Sequence, residues 1–133
     1  MKKYFIILGI IQLIIAIGAI PAGFYFVFNP DGNASGPSTD MLRNSPFPDF
    51  LVPGLFLFIV HGLGNLSGSV LSFLKKKTAA LAGIILGVLL VGWIVLQVYW
   101  IGLSSFLQPL FFVVGLVEVG LGFYIRTNPK SVP

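Results

Sequence analysis

Two residues that can exchange protons interrupt long apolar runs of this chain. Glu118 lies within FVVGLVEVGLG, and His61 lies with Asn65 within LFIVHGLGN. A carboxyl group beside an imidazole can share a proton or hold a cation, because imidazole changes its charge near neutral pH. A charge in the middle of an apolar layer costs on the order of 3 kcal/mol on insertion scales, so residues of this kind usually mark a binding or proton-handling site.

Helices that cross a membrane must position these side chains. Apolar runs cover residues 4–28, 50–74, 78–101 and 106–125, and each reaches the roughly 20 residues that a helix needs to cross a bilayer core. Backbone groups in lipid must pair within their own segment, which favours helices, and the alternating segments of a membrane β-barrel are absent from the sequence. The sequence predicts an all-α, polytopic membrane protein: four transmembrane helices in one domain over residues 1–133.

The composition agrees with this prediction. Hydrophobic residues make up 56% of the chain and charged residues 9%, whereas soluble domains carry about 25% charged residues. The chain has no cysteine, which excludes disulfides and thiolate metal sites. One histidine without a second histidine or a cysteine does not make a metal site, so we expect no metal and no cofactor.

The basic residues predict an orientation in the membrane. When the four spans alternate, most of them fall on one side: Lys2, Lys3, Lys75, Lys76, Lys77, Arg126 and Lys130. Positive charge marks the cytoplasmic face, so we expect both termini and the 75–77 loop in the cytoplasm and the 29–49 loop on the opposite, extracytoplasmic side. The membrane would be the cell (inner) membrane of a bacterium. The cations would then contact anionic lipid, and nucleic acid is not needed as a partner.

Four polar side chains are predicted at similar depths. Counted from the inner helix ends at about 1.5 Å per residue, Gln12 and Glu118 lie about 12 Å deep and Asn65 about 13 Å. His61 lies one turn farther out, on the same helix face as Asn65. Short turns make neighbouring helices antiparallel, and a compact bundle would bring these four residues into one layer. This layer is the candidate intramembrane polar site.

Two interpretations of Glu118 remain open. Burial disfavours the charged form, so a neutral acid bonded to Asn65 or Gln12 would hold the helices together. With His61 as its partner, an ion pair or a shared proton would suit proton coupling or the capture of a cationic or amphipathic ligand.

A second group of side chains is predicted at the outer helix ends, as a candidate outer mouth: Asp49, Arg43, Trp93, Gln97 and Gln108. Asp49 belongs to SPFPDFLVPG, directly before the second span. This stretch is either a bent segment in which Asp49 caps the helix, or a lid over an outer cavity with Asp49 at its rim. Gln97 and Gln108 either line the mouth or bond each other across a short hairpin.

Small residues recur at helical spacing in three rows. The rows are Ala19-x-x-x-Gly23, Gly64-x-x-x-Gly68-x-x-x-Ser72 and Ala79-x-x-x-Gly83-x-x-x-Gly87. Such rows let helix backbones approach closely in lipid. They would serve either the packing of this bundle or contact with another copy or a membrane-protein partner.

Three segments carry a family resemblance. SPFPDFLVPGLFLF, GWIVLQVYW and LQPLFFVVGLVEVGLG together resemble a family of uncharacterised, small, four-helix bacterial inner-membrane proteins, over residues 45–123. The resemblance implies a four-helix fold and carries no activity with it. In size and helix count only, the chain is also similar to DoxX-like proteins.

The function classes follow from these patterns. HExxH, GxSxG and P-loop motifs do not occur in the sequence, so we expect a protein that is not an enzyme. The first class is non-catalytic binding of a lipid-like or amphipathic ligand, or of a partner protein, within the bundle. The second is a small oligomeric or proton-coupled transporter that uses Glu118. The third is a structural or assembly subunit.

Overall fold

The computed structural model describes residues 2–31, 39–103 and 105–128 of the chain. Its main elements are α1 (Lys2–Phe28), α2 (Leu51–Phe73), α3 (Ala79–Ile101) and α4 (Leu107–Thr127). A short 3₁₀ helix, Thr39–Leu42, lies between α1 and α2. Residues 32–38 of the predicted outer loop lie outside the described residues. All four long helices are apolar enough to cross a membrane, which confirms the prediction of an all-helical chain with four such helices.

The helices bury polar side chains and expose large apolar ones. Gln12 and Glu118 are fully buried, whereas Ile17 is 63% exposed and Val113 55% exposed. In lipid this arrangement is favourable, because acyl chains are as apolar as the exposed side chains and buried polar groups can bond between helices. The four helices therefore indicate a multi-pass membrane protein.

The α1 and α2 helices form one close, antiparallel pair. A Cβ atom at Gly23 would lie 2.6 Å from the backbone nitrogen of Phe58, and a Cβ atom at Gly9 would lie 2.9 Å from the ring of Phe73. A later residue of α1 therefore contacts an earlier residue of α2, as in an antiparallel pair. Gly23 ends the first of the three small-residue rows, and this row serves packing within the chain.

The α3 and α4 helices form the second close pair, also antiparallel. A Cβ atom at Gly122 would lie 2.7 Å from the carbonyl oxygen of Ala80, and one at Gly87 would lie 2.6 Å from Val119 Cγ2. Such approaches are open only to glycine, because the backbone of the neighbouring helix occupies the space of a side chain.

The two pairs close against each other at the end that carries the 75–77 loop. A core of Phe5, Leu8, Ala79, Ala80 and Ile125 joins α1, α3 and α4 there. The rings of Tyr4 and Tyr124 lie next to this core, 4.8 Å apart. Farther from this end the pairs leave space between them, which becomes the site described below.

The middle of α2 is a π-helical segment, Leu57–Gly64. In an α-helix the carbonyl of His61 would accept the backbone N–H of Asn65. Here it accepts the side-chain Nδ2 of Asn65 at 3.0 Å, while the Asn65 N–H bonds the carbonyl of Gly62. The segment holds Gly62 and Gly64, which tolerate departure from α-helical geometry. Segments of this type are frequent at functional sites, and this one carries His61.

Candidate functional site

Gln12 connects three helices through its side-chain amide. Its Nε2 donates to Oε2 of Glu118 at 3.3 Å, and its Oε1 accepts the hydroxyl of Ser72 at 2.8 Å. All three side chains are fully buried. The structure therefore brings together Gln12 and Glu118, as expected from their depths, and holds the carboxyl group between helices and away from lipid.

Asn65 and His61 are also fully buried, but neither of them bonds Gln12 or Glu118. The amide of Asn65 bonds within its own helix, and no hydrogen bond or ion pair among the described residues joins Asn65 or His61 to Glu118. Gly62, next to His61, packs on Ile20 of α1. Ile20 is about 12 Å along α1 from Gln12. Of the two interpretations of Glu118, the structure shows the bond to Gln12 and does not join His61 to Glu118, because the two residues lie at different levels of the bundle.

Two serines of the polar interior were missed by the sequence analysis as site residues. Ser69 donates to the carbonyl of Gly9 at 2.9 Å, and Ser72 donates to Gln12. The available signal was the interval of four from Asn65 to Ser69, which places both on one helix face. Their bonds to α1 show that the row ending at Ser72 packs within the chain.

A cavity of about 460 Å³ lies between the two helix pairs, on the side away from the 75–77 loop. All four helices contribute to its wall. The α1 helix contributes Ile15 and the small residues Gly18, Ala19 and Ala22, and the apolar residues of the other helices include Leu57, Leu90, Ile94 and Phe111. The wall is mostly apolar, with a few polar side chains at defined positions.

Two polar side chains of the cavity wall have buried atoms without a hydrogen-bond partner in the described part of the chain. These atoms are both ring nitrogens of His61 and Nε1 of Trp93. Their rings lie 6.2 Å apart, and the ring of Phe56 contacts both, at 5.2 Å from His61 and 4.7 Å from Trp93. Buried polar atoms normally have partners, so these three atoms are unsatisfied polar groups directly behind the surface of the cavity.

A smaller cavity of about 170 Å³ lies beneath the segment 45–50. Phe47 contacts the ring of Trp100 edge-on at 5.5 Å, and Phe50 stacks on Phe26 at 4.9 Å. The two cavities share Trp93 as a lining residue. Phe47 and Phe50 of this segment therefore line a cavity that adjoins the larger one.

The predicted outer mouth is present only in part. Gln97 and Gln108 line the larger cavity and also bond each other, with Nε2 of Gln108 3.4 Å from Oε1 of Gln97. Asp49 and Arg43 line neither of these two cavities. Asp49 instead accepts the backbone N–H of Leu51 at 3.0 Å, which satisfies the first free donor of α2, and Arg43 is exposed.

Comparison of the chain with protein-family models, with curated proteins and with solved structures finds no match. The resemblance to small four-helix bacterial membrane proteins therefore stays a prediction. The function is inferred from the geometry of the cavity and of the polar interior.

Proposed function

We propose that this protein is a multi-pass protein of the bacterial inner membrane that binds a lipid-like, amphipathic ligand in the 460 Å³ cavity. The observation that carries the proposal is an apolar cavity whose wall holds unpaired, buried nitrogens of His61 and Trp93. Ligand sites typically have volumes of about 300–1,000 Å³ and apolar walls with a few polar groups that orient the ligand. Both features are present in one place.

The surface of the bundle supports entry of the ligand from the lipid. Gly18 of α1 and Leu107 of α4 line the cavity and are exposed residues, with Leu107 46% exposed. A molecule dissolved among acyl chains would therefore reach the cavity between α1 and α4 without first passing through water. This route favours a ligand with a long apolar part.

The charge distribution supports an opening toward the outside of the cell. The lysines of the 75–77 loop lie at the closed end of the bundle, and the cavity lies toward the opposite end. With positive charge on the cytoplasmic side, both termini are cytoplasmic and the ligand binds in the outer half of the membrane.

A cavity-filling variant tests the proposal. A Cβ atom at Gly18 would meet only Phe111, at 3.9 Å, so the larger side chain of Gly18→Phe has room to extend into the cavity. We expect native mass spectrometry of the wild-type protein to show a retained lipid-like molecule. We expect Gly18→Phe to lose at least nine-tenths of that occupancy, while its thermal unfolding midpoint changes little.

The matched control is Gly92→Phe in α3. A Cβ atom at Gly92 would have no neighbour within 4 Å, and Gly92 lines neither cavity. This variant should retain the ligand as the wild type does. Equal retention by Gly18→Phe and the wild type would show that the ligand binds elsewhere and would overturn the proposal.

A proton-coupled transporter is the second candidate, and the buried carboxyl group of Glu118 favours it. A dye sensitive to pH, enclosed in proteoliposomes, measures the relevant flux. Since a closed core separates the cavity from the 75–77 end, we expect no protein-dependent proton flux from the wild type or from Glu118→Gln. Flux that is present in the wild type and lost in Glu118→Gln would establish transport in place of simple binding.

A further inference from the structure

We infer that the ligand has an uncharged, oxygen-containing head group, a hydroxyl or a carbonyl, that accepts a hydrogen bond from Trp93 and contacts His61. The inference rests on the proposed function and specifies the chemical class of its ligand. The tail of the ligand would lie along the apolar wall toward Gly18 and Phe111.

The hydrogen-bonding capacity of the two side chains defines the head group. The indole Nε1 of Trp93 is a donor only, and a neutral imidazole has one donor and one acceptor nitrogen. An oxygen atom of the ligand accepts the indole N–H, and the imidazole then donates to a carbonyl or accepts from a hydroxyl. These nitrogens are buried without partners, so the two rings would turn toward the cavity as the ligand binds, and the hydrogen bonds then formed would contribute to the binding free energy.

The neighbouring glutamine side chains already make some of their hydrogen bonds. Gln97 and Gln108 bond each other, and Oε1 of Gln108 also accepts the backbone N–H of Ser105 at 3.4 Å. The unpaired groups of the wall therefore lie deeper, at His61 and Trp93, next to the ring of Phe56. The head group binds next to the rings of His61, Trp93 and Phe56 and not at the glutamine pair.

The absence of charge in the described cavity wall excludes charged head groups. None of its lining residues is an aspartate, glutamate, lysine or arginine. The carboxyl group of Glu118 is bonded to Gln12 outside the cavity wall, and Asp49 caps α2. With the imidazole of His61 neutral, a carboxylate, phosphate or ammonium group at this depth would be desolvated without an opposite charge, which is strongly unfavourable.

A series of ligands with one tail and different head groups tests the inference. The series is 1-hexadecanol, methyl hexadecanoate, hexadecanoate, hexadecylamine and hexadecane, each titrated against the wild-type protein by native mass spectrometry in one detergent. We expect the alcohol and the ester to bind about tenfold more tightly than hexadecane, as one satisfied buried donor would give. The carboxylate and the amine should bind no more tightly than hexadecane.

Trp93→Phe then identifies the donor, because it keeps an aromatic ring and removes the N–H. The substitution should weaken the binding of the alcohol and of the ester by about tenfold and leave the binding of hexadecane unchanged. Trp100→Phe is the matched control, since Trp100 lines the smaller cavity and not the larger one. The ranking of head groups in the wild type tests the same inference without any variant, should Trp93→Phe fail to fold.

The outcomes distinguish failure of the head-group inference from failure of the proposed ligand binding. If the carboxylate or the amine bound more tightly than hexadecane, the head-group inference would be overturned and ligand binding would stand. The same would follow if Trp93→Phe weakened the binding of all members of the series equally. Absence of binding for every member of the series, with no difference between the wild type and Gly18→Phe, would overturn the proposed function itself.

Discussion

Gly87→Ala should lower the free energy of unfolding by about 1–3 kcal/mol, the range found for overpacked interiors. The added Cβ atom would lie 2.6 Å from Val119 Cγ2, 2.8 Å from the carbonyl oxygen of Gly115 and 2.9 Å from the backbone nitrogen of Val119. Two of these three atoms belong to the backbone, so a side-chain rotation cannot relieve the collision and α4 must move. Equilibrium unfolding in mixed micelles of sodium dodecyl sulfate measures the change.

Gly92→Ala is the control on the same helix. Its Cβ atom would have no neighbour within 4 Å, and alanine is a better helix former than glycine, so we expect unchanged or slightly higher stability. The displacement of α4 in Gly87→Ala should also reduce retention of the ligand, because both α3 and α4 line the cavity. An equal effect of the two alanine substitutions would contradict the close packing of α3 on α4.

Gln12→Leu should also destabilise the protein by about 1–3 kcal/mol, the penalty for a buried polar group that loses its partner. The substitution removes the donor to Glu118 and the acceptor for Ser72 in one step. The hydroxyl of Ser72 can turn to a backbone carbonyl of its own helix, whereas Oε1 of Glu118 already has no partner in the described part of the chain. Most of the loss therefore comes from Glu118.

A double-mutant cycle separates this mechanism from simple loss of packing. The double variant that carries both Gln12→Leu and Glu118→Leu has no carboxyl group left at this place. We therefore expect it to be at least 1 kcal/mol more stable than the sum of the two single effects predicts. Glu118→Gln retains an oxygen that can accept from Gln12 and should stay close to the wild type. Strict additivity in the cycle would show that the two side chains do not interact.

The architecture explains how one short chain has both a rigid interior and a cavity. Glycines bring α1 against α2 and α3 against α4, so each pair is a closely packed unit. The two units close at the end with the 75–77 loop through the core around Phe5 and Ile125, and the polar contact of Gln12 with Glu118 joins them nearer the middle. Beyond that level the small residues Gly18 and Ala22 leave the cavity open.

Much of this arrangement follows from the sequence alone. Long apolar runs predict four helices, because an unpaired backbone group in lipid is too unfavourable for other structures. The burial of Glu118 and Gln12 follows for the same reason, since polar side chains avoid acyl chains and lie at matching depths. The bond from the Leu51 N–H to Asp49 at the start of α2 is likewise local, because the residues concerned are neighbours along the chain.

Only the tertiary structure decided the rest. The π-helical segment Leu57–Gly64 in α2 is accompanied by an Asn65 side chain that bonds the carbonyl of His61, and a periodic apolar pattern does not report it. The level of His61 is set by the packing of Gly62 on Ile20, and this places the imidazole next to Trp93 and not next to Glu118. The cavity has the same origin. It is the space between two helix pairs that meet at one end, and spacing along a single helix contains no information about the distance between helices.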